Sequence, residues 1–510
     1  MRIKNALLSV WDKRGLEEFA RGLEELGVRI LSSGGTARFL RERGIEVREV
    51  SELTGFPEIL DGRVKTLHPL IHAGILARRD LPSHLETLRE RGIPTIDLVA
   101  VNLYPFQETI KKPGVRLEEA LENIDIGGPA LVRAAAKNYR DVVVVVRPER
   151  YGEILGELRE RGDVSEEKRL ELAVEAFAHT ASYDSSVQSY LAGLLPGGGL
   201  PPYFVLSYRK ASDLRYGQNP HQRGALYVEA EPWGIASARL HQGKELSFNN
   251  LMDLDAALDL LAEFEETTAV VIKHTNPCGL ACDPDVRKAY VKARECDPLS
   301  AFGGVVGINR RVTRETAEEI TSTFIEAVVA PSYEPEALEV MRKKANMRVL
   351  ELPSFERRRG LRFRQISGGL LVEDEDSLLL RPEEMRVVTR RGPTEEEREQ
   401  LIFAWKVVKH VKSNAIVVAR EKQAVGVGAG QTSRVDSTEI ALKKAGPRAR
   451  GAVLASDAFF PFPDSVQKAA EAGITAIIQP GGSIRDQEVI READRHGMAM
   501  VFTGVRHFKH

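Results

Sequence analysis

The sequence predicts an α/β protein: a doubly wound domain around a parallel sheet, then a larger region that again mixes strands and helices. Short apolar, strand-like runs alternate with stretches of helical apolar spacing through residues 1–195. One run, Val142-Val143-Val144-Val145-Val146, is continuous instead of alternating, the pattern of a parallel strand covered on both faces. Pro196-Gly197-Gly198-Gly199-Leu200-Pro201-Pro202 breaks helix and strand alike and divides the chain into residues 1–196 and 197–510. At 510 residues the chain is too long for one core, so about two or three domains are expected.

Composition excludes several classes of function. The 43% apolar and 29% charged fractions are those of an ordinary soluble globular protein. With 72 basic against 74 acidic residues, no global field recruits nucleic acid or an anionic membrane, and small anions must be held by local arrangements. No apolar run approaches the roughly 20 residues of a membrane span. The start, Met1-Arg2-Ile3-Lys4-Asn5, lacks a signal peptide's apolar centre, so a cytoplasmic location is expected. Three cysteines fit a reducing compartment. His274, Cys278, Cys282 and Cys296 could form a four-ligand zinc site, but they come from separate segments with no second CxxC pair. Buried thiols and no metal are the expectation.

In the first domain, Leu7-Leu8-Ser9-Val10 reads as a strand, Leu16–Leu26 as a helix, and Val28-Arg29-Ile30-Leu31 as the next strand. Ser32-Ser33-Gly34-Gly35-Thr36 then leads into a helix over Thr36–Arg43 that Gly44 stops. Glycines that turn N–H groups outward, hydroxyl donors and a helix N-terminus suit an anion, while a plain N-cap explains the same residues equally well. Arg63-Val64-Lys65-Thr66-Leu67-His68-Pro69 sets two cations and a hydroxyl in alternation. Leu98-Val99-Ala100-Val101 is a strand with Asn102-Leu103-Tyr104-Pro105 at its carboxyl end, and Asp125-Ile126-Gly127-Gly128-Pro129 opens the helix that carries Arg133 and Lys137. Asp125 and Lys137 could border the same cleft, and a small phosphorylated ligand with a hydrogen-bonding ring fits these residues. A long helix follows over 166–195.

In the second region, Val270-Val271-Ile272-Lys273-His274 reads as a buried strand ending in a tight Asn276-Pro277-Cys278-Gly279 turn. Lys273 and His274 therefore stand at a strand's carboxyl end, where ligands collect in α/β proteins. A neighbouring cation favours a neutral, base-competent histidine, although a solvated lysine beside a loop histidine is the blander alternative. Donor-rich loops recur at Leu214–His221, before a helix beginning at Leu251, at Asp297–Gly304, and at Lys412-Ser413-Asn414-Ala415 ahead of the strand Ile416-Val417-Val418. Gly426–Gly430 is a weak glycine signal ending at Arg434. Ser456–Asp464 carries three phenylalanines, suited to core packing or to a slot for a planar heterocycle. The basic and aromatic tail Gly504–His510 is either frayed or an anion-binding lid, and 373–400 reads as a solvated connection and helix face. The β-rich sections 265–310 and 412–455 share a grammar that hints at duplication.

Taken together, these residues resemble one family, the bifunctional purine-biosynthesis proteins that combine 5-aminoimidazole-4-carboxamide ribonucleotide (AICAR) formyltransferase with inosine monophosphate (IMP) cyclohydrolase. The strings that carry the resemblance are Lys65–Pro69, Asn102–Phe106, Asp125–Gly128, Arg215–Pro220, Lys273–Gly279 and Ser456–Phe462, in the family's order and across nearly the whole chain. The resemblance implies a methylglyoxal-synthase-like cyclohydrolase domain over 1–196. It implies a transformylase over 197–510, built from two cytidine-deaminase-like subdomains without the deaminase zinc. It also implies a homodimer that acts on small molecules (AICAR, its formylated product FAICAR, IMP and folate), with 10-formyltetrahydrofolate as formyl donor and no catalytic metal.

By position, the resemblance places Ser9, Lys13, Ser33, Gly34, Gly35, Thr36, Arg63 and Thr66 on the cyclohydrolase nucleotide, with Asn102, Ile126, Gly127 and Gly128 toward the base. Lys65, Tyr104, Asp125 and Lys137 match catalytic groups there, and Lys273 and His274 match those of the transformylase. Arg215, Tyr216, Asn414, Arg506 and Phe508 match its AICAR site, and Arg434, Phe459, Pro461, Phe462 and Asp464 its folate side. Trp11 stands where many members have serine, and Pro463 where many have arginine. Two rival readings require other features. A nucleotide-sensing module would not require a lysine–histidine pair, and a zinc deaminase would need a His-x-Glu and Pro-Cys-x-x-Cys pattern that is absent.

Overall fold

The computed structural model describes residues 3–197, 199–356 and 360–510; Met1, Arg2 and Gly198, the last within the expected boundary cluster, lie outside them. The chain divides into two compact units, Met1–Tyr208 and Arg209–His510. The division falls beyond Pro196–Pro202 because the following segment is tied back to the long helix Glu166–Ala192. Ser185 Oγ donates to the Val205 carbonyl at 3.3 Å, and Gln188 Nε2 donates to that of Tyr203 at 3.2 Å.

The first unit is built on β1 (Asn5–Val10), β2 (Arg29–Ser32), β3 (Val47–Glu49), β4 (Leu98–Asn102) and β5 (Val143–Val145). All pair in parallel, in the order β3-β2-β1-β4-β5. The valine run is fully buried, as a strand covered on both faces requires. The strand order reverses between β1 and β4, so a crevice opens beyond their carboxyl ends. The helix expected from Thr36 instead runs Gly34–Arg41, with Ser33 as its extended N-cap. The two glycines therefore form its first turn and are not a free loop.

The second unit carries β6 (Arg209–Leu214), β7 (Gly224–Val228), β8 (Arg239–Gln242), β9 (Thr268–Lys273), β10 (Asn276–Cys282), β11 (Gly304–Ile308), β12 (Ile325–Ala330) and β13 (Arg348–Glu351). After these come β14 (Leu361–Ile366), β15 (Gly369–Asp374), β16 (Arg386–Val387), β17 (Ile416–Arg420), β18 (Gln423–Gly428), β19 (Val453–Ser456), β20 (Ala476–Gln479) and β21 (Ala499–Phe502). Two hairpins, β6–β7 and β14–β15, stand apart from one 12-stranded sheet. Half of that sheet reads β10-β9-β11-β12-β13-β8 and the other half β18-β17-β19-β20-β21-β16. The pairings in each are antiparallel, antiparallel, parallel, parallel and antiparallel. The halves meet where β10 pairs antiparallel with β18. This is the duplication that the two β-rich sections hinted at, and it extends to the turns. Thr275 N–H donates to Asp253 Oδ1 at 2.7 Å, and Lys422 N–H to Gln400 Oε1 at 2.8 Å. Each acceptor stands at the same place in its helix, Phe248–Leu261 or Glu395–Val408.

Four local expectations are corrected. Asn276–Gly279 is not the turn but the start of β10; the turn is His274–Thr275, whose φ values of 52° and 62° form the left-handed pair that suits a two-residue hairpin. Pro277, which has no N–H for the ladder, sits at a register shift, and a Cβ on Gly279 would strike the Ala293 carbonyl of the overlying helix. Gly426 and Gly428 likewise lie inside β18, where a Cβ would strike the carbonyls of Ala441 and Ser437, so they serve close helix packing. The helix expected from Leu251 begins at Phe248, because Ser247 and Asn250 form a capping box there. The acidic stretch at 373 is not simply solvated: Glu375 pairs with Arg362 and Asp376 with His507.

Candidate active sites

In the first unit, the residues at the β1/β4 crevice converge on the start of the helix Gly34–Arg41. Its first N–H groups have no intrahelical acceptor, and Ser33 Oγ is buried without a protein partner. A Cβ on Gly34 would lie 3.6 Å from Lys65 Nζ, which places that ammonium over the first turn. Lys65 Nζ also donates to Tyr104 Oη at 3.3 Å. Asp125 is fixed beside them: Gly128 N–H donates to its Oδ1 at 2.8 Å, and its own N–H donates to Tyr183 Oη at 2.8 Å. Burial pushes the Asp125 carboxyl above its ordinary range, against the pull of the Gly128 and Tyr104 N–H groups and the Lys65 charge. A Cβ on Gly127 would lie 2.8 Å from Thr66 Oγ1, and one on Gly128 would lie 2.6 Å from Asp125 Oδ2. Two glycines thus let the helix Gly127–Lys137 begin against the cluster.

Other predicted residues border this cluster in different ways. Thr36 Oγ1 is engaged with β1, accepting from Val10 N–H at 3.1 Å and donating to the Val10 carbonyl at 3.0 Å. Asn102 pins the loop after β1: its Oδ1 accepts from Trp11 and Asp12 N–H at 2.6 and 2.9 Å, and its Nδ2 donates to the Asp12 carbonyl at 3.1 Å. Lys13 Nζ donates to the Trp11 carbonyl at 3.4 Å, and Ser9 is a residue of β1 itself. Trp11, exposed, packs edge-on against Tyr104 at 5.4 Å. Arg63 pairs with Glu122, and the Ile126 side chain is exposed. Lys137 is not brought to the cluster: it ends the helix that Gly127 begins, about 15 Å away at the rise of an α-helix. There it lines an apolar groove with Leu76, Tyr139, Leu170 and Phe177.

In the second unit, Lys273 and His274 sit beside the seam between the two halves. Lys273 Nζ donates to the Phe302 carbonyl at 2.6 Å, which fixes the ammonium next to the histidine turn. Asp253 accepts the backbone N–H groups of both His274 and Thr275, and burial raises its carboxyl. Asn276 Oδ1 accepts from Lys412 N–H at 2.9 Å, so the first half touches the segment that leads to Asn414. The Asn414 side chain donates to the Gln431 carbonyl at 2.9 Å and accepts from Arg434 Nη2 at 2.7 Å. Arg434 is not open to solvent: it is buried, donates to Ser456 Oγ at 2.9 Å and pairs with Asp457, whose Oδ1 also accepts from Ala415 N–H. Its position fixes this loop instead of presenting a free cation.

The remaining predicted residues of this unit lie around this frame. Arg215 lies over the Tyr216 ring at 5.5 Å, and their loop is tied to the helix of Asp253 where Asn249 Nδ2 donates to the Gln218 carbonyl at 3.3 Å. Phe460 is buried, whereas Phe459 and Phe462 are partly exposed on either side of Pro461, and Arg485 covers the Phe462 ring at 4.7 Å. Asp464 begins the next helix directly after Pro463. The tail is not frayed: Ser413 N–H donates to the Lys509 carbonyl at 2.9 Å, and Arg506 stacks on Phe508 at 4.2 Å. Cys278, Cys282 and Cys296 are free and buried, and burial pushes their thiols up to about 12. Among the described residues no group of three or more His, Cys, Asp or Glu is placed to hold a metal ion. Sequence reasoning missed Asp253 and Asp457, because nothing local marks an acid whose task is to hold a distant turn.

Comparison with known proteins decides between the readings. A model of the MGS-like domain matches residues 15–130, and a model described as the AICARFT/IMPCHase bienzyme matches residues 135–444. The "Bifunctional purine biosynthesis protein PurH" of Persephonella marina is 53% identical, over 99% of this chain and 100% of its own. The chain belongs to the AICARFT/IMPCHase bienzyme family. The proteins of the same name from Thermoanaerobacter sp. and Bacillus cytotoxicus are 52% and 51% identical, again over 99% of this chain and all of theirs. This member of the bienzyme family is an AICAR formyltransferase and an IMP cyclohydrolase, covering the last two steps of IMP synthesis. Its formyl group comes from a formyl-folate co-substrate.

Proposed function

We propose that the first unit closes the purine ring and the second transfers the formyl group, with the residues that converge in each acting as follows. The donor is 10-formyltetrahydrofolate. The AICAR 5-amino nitrogen attacks its formyl carbon, His274 takes the amine proton, and Lys273 stabilises the oxyanion and protonates the departing folate nitrogen. The products are FAICAR and tetrahydrofolate. An amine conjugated to an aromatic ring is a weak nucleophile, so a general base contributes roughly 10²–10⁴-fold. The observation that supports this reading best is the placement of Lys273 and His274 together at the end of β9, with the turn held by Asp253 and Lys273 anchored alongside. The equivalent turn of the other half, Glu421–Lys422, has the same left-handed backbone, so what sets this turn apart is the lysine–histidine pair it carries.

In the cyclohydrolase, Lys65 and Tyr104 polarise the formamide carbonyl while the carboxamide nitrogen attacks it, and Asp125 exchanges the proton as water leaves. A carboxyl raised by burial does this closer to neutral pH than an ordinary one. Because both reacting groups belong to one molecule, positioning supplies much of the rate. The unpartnered Ser33 hydroxyl and the helix start at Gly34 suit the nucleotide phosphate. Lys137 has no place in this constellation within one chain.

A homodimer in the cytoplasm completes the proposal. Leu170, Val174 and Phe177 form an exposed apolar stripe on Glu166–Ala192, spaced for one helix face beside the apolar groove of Lys137, and a second copy of this chain fits there. No helix among the described residues is long and apolar enough to cross a membrane. The assignment of roles is tested by His274→Ala: transformylase turnover falls at least about 100-fold while cyclohydrolase turnover of FAICAR is kept. Unchanged transformylase turnover overturns it.

A further inference from the structure

The carboxyl-terminal tail alternates between two environments. Arg506 and Phe508 face outward and stack on each other, whereas His507 is buried at 3% exposure and Lys509 turns inward. Each inward residue meets an acid. His507 Nδ1 lies 2.5 Å from Asp376 Oδ2, and Lys509 Nζ lies 3.5 Å from Asp259 Oδ2. Both acids belong to one connected group. Asp259 also accepts from Arg362 at 2.6 Å, Arg362 reaches Glu375 at 3.3 Å, and Asp376 is the next residue after Glu375. Lys409 Nζ stands 3.8 Å from the second Asp376 oxygen, and the His507 ring packs on Trp405 at 5.2 Å. Burial works against the Asp376 charge, yet the His507 hydrogen bond and Lys409 hold its carboxyl below the ordinary range.

We propose that Asp376 is a positioning residue for the transformylase: through His507 it seats the tail so that Arg506 and Phe508 meet the nucleotide. This rests on the reading of Arg506 and Phe508 as AICAR contacts. Alternation makes the inference specific, because where burial alternates residue by residue, whatever fixes the inward residues also fixes their outward neighbours. The backbone supports the same seat, since His507 N–H donates to the Asp457 carbonyl at 3.1 Å and Lys509 accepts from Ser413 N–H. Asp376 touches neither His274 nor Lys273 in any hydrogen bond or ion pair among the described residues, so its removal should act on nucleotide affinity and not on the chemical step.

The test is steady-state kinetics on the full chain with Asp376→Asn, His507→Gln, the double variant and Arg506→Ala. Loss of one hydrogen bond to a carboxylate that is half open to solvent predicts a KM for AICAR raised about five- to tenfold. The KM for 10-formyltetrahydrofolate, the transformylase kcat and the cyclohydrolase rate on FAICAR stay within about twofold. The double variant is no worse than either single one, because the two residues act through one contact. Trp405 emission changes in both single variants as the His507 ring leaves it. Asp376→Asn with an unchanged KM for AICAR, or effects of the two substitutions that simply add, overturns the inference. Arg506→Ala separates the two levels: an unchanged KM for AICAR in that variant refutes the nucleotide reading itself. A raised KM there beside a normal Asp376→Asn refutes only the anchoring role.

Discussion

Replacing Gly128 by alanine is a small change with a large expected effect on ring closure. A Cβ at this position would stand 2.6 Å from Asp125 Oδ2 and 2.7 Å from Leu103 Cδ2, where ordinary van der Waals contact begins at 3.4 Å. The leucine methyl can rotate away. The carboxylate cannot move without disturbing the hydrogen bond that Gly128 N–H gives it, so it retreats by nearly an ångström. Displacement of a catalytic group by about 1 Å costs about 100-fold in rate, or roughly 2.7 kcal/mol in the barrier. Folding should hardly suffer: Gly128 does not need a positive φ, and alanine gains up to about 1 kcal/mol of helix propensity over glycine. The assay follows FAICAR conversion to IMP by Gly128→Ala beside formyl transfer by the same preparation. We expect cyclohydrolase kcat/KM to fall about 100-fold with transformylase unchanged and the melting temperature within a few degrees. Cyclohydrolase activity within twofold of the parent would refute the placement of Asp125 at the reacting atoms.

The raised Asp125 carboxyl has a signed consequence for stability. Its neutral form is favoured by the fold, so the stability it contributes is present in acid and is lost as pH rises through the folded value. Asp125→Asn should therefore melt higher than the parent near pH 8, with the gap closing below about pH 4, and a constant gap across that range contradicts the burial argument. It should also remove any acidic limb from the cyclohydrolase pH–rate profile. For the assembly, Phe177→Glu places a charge in the exposed stripe of Glu166–Ala192 and should shift the dimer to monomer by light scattering. A variant that stays dimeric shows that the stripe is not the contact.

Much of the fold was legible because it follows from period and continuity. The unbroken valines announced a strand covered on both faces, and the helix over 166–195 and the strand before Ser33 carried their own spacing. The turn at His274–Thr275 was misread one step along, because Asn-Pro-Cys-Gly is ordinarily turn chemistry; a bulge at Pro277 and a helix packed on Gly279 overrode it. The site was legible in kind but not in detail. Ser33, Gly34, Tyr104 and Asp125 do converge, as their places at strand and helix ends suggested, and Lys65 of the Arg63–Pro69 run joins them. Thr36, Asn102 and Arg434 have the chemistry of ligand-binding groups yet spend it holding loops, which depends on who faces them across the fold. The distance of Lys137 from Asp125 is simply the length of one helix, whose start could be read from sequence while its direction past the crevice could not.

The most direct measurement is a coupled assay of the purified chain with AICAR and 10-formyltetrahydrofolate, following tetrahydrofolate and IMP together. Both products are expected from one polypeptide, with IMP lagging behind tetrahydrofolate by the time FAICAR takes to cyclise. Tetrahydrofolate with accumulating FAICAR would contradict the first unit's role and point first to Trp11 against Tyr104. Neither product, with AICAR still bound in a titration, would mean that the chain keeps the folds of its family without their chemistry.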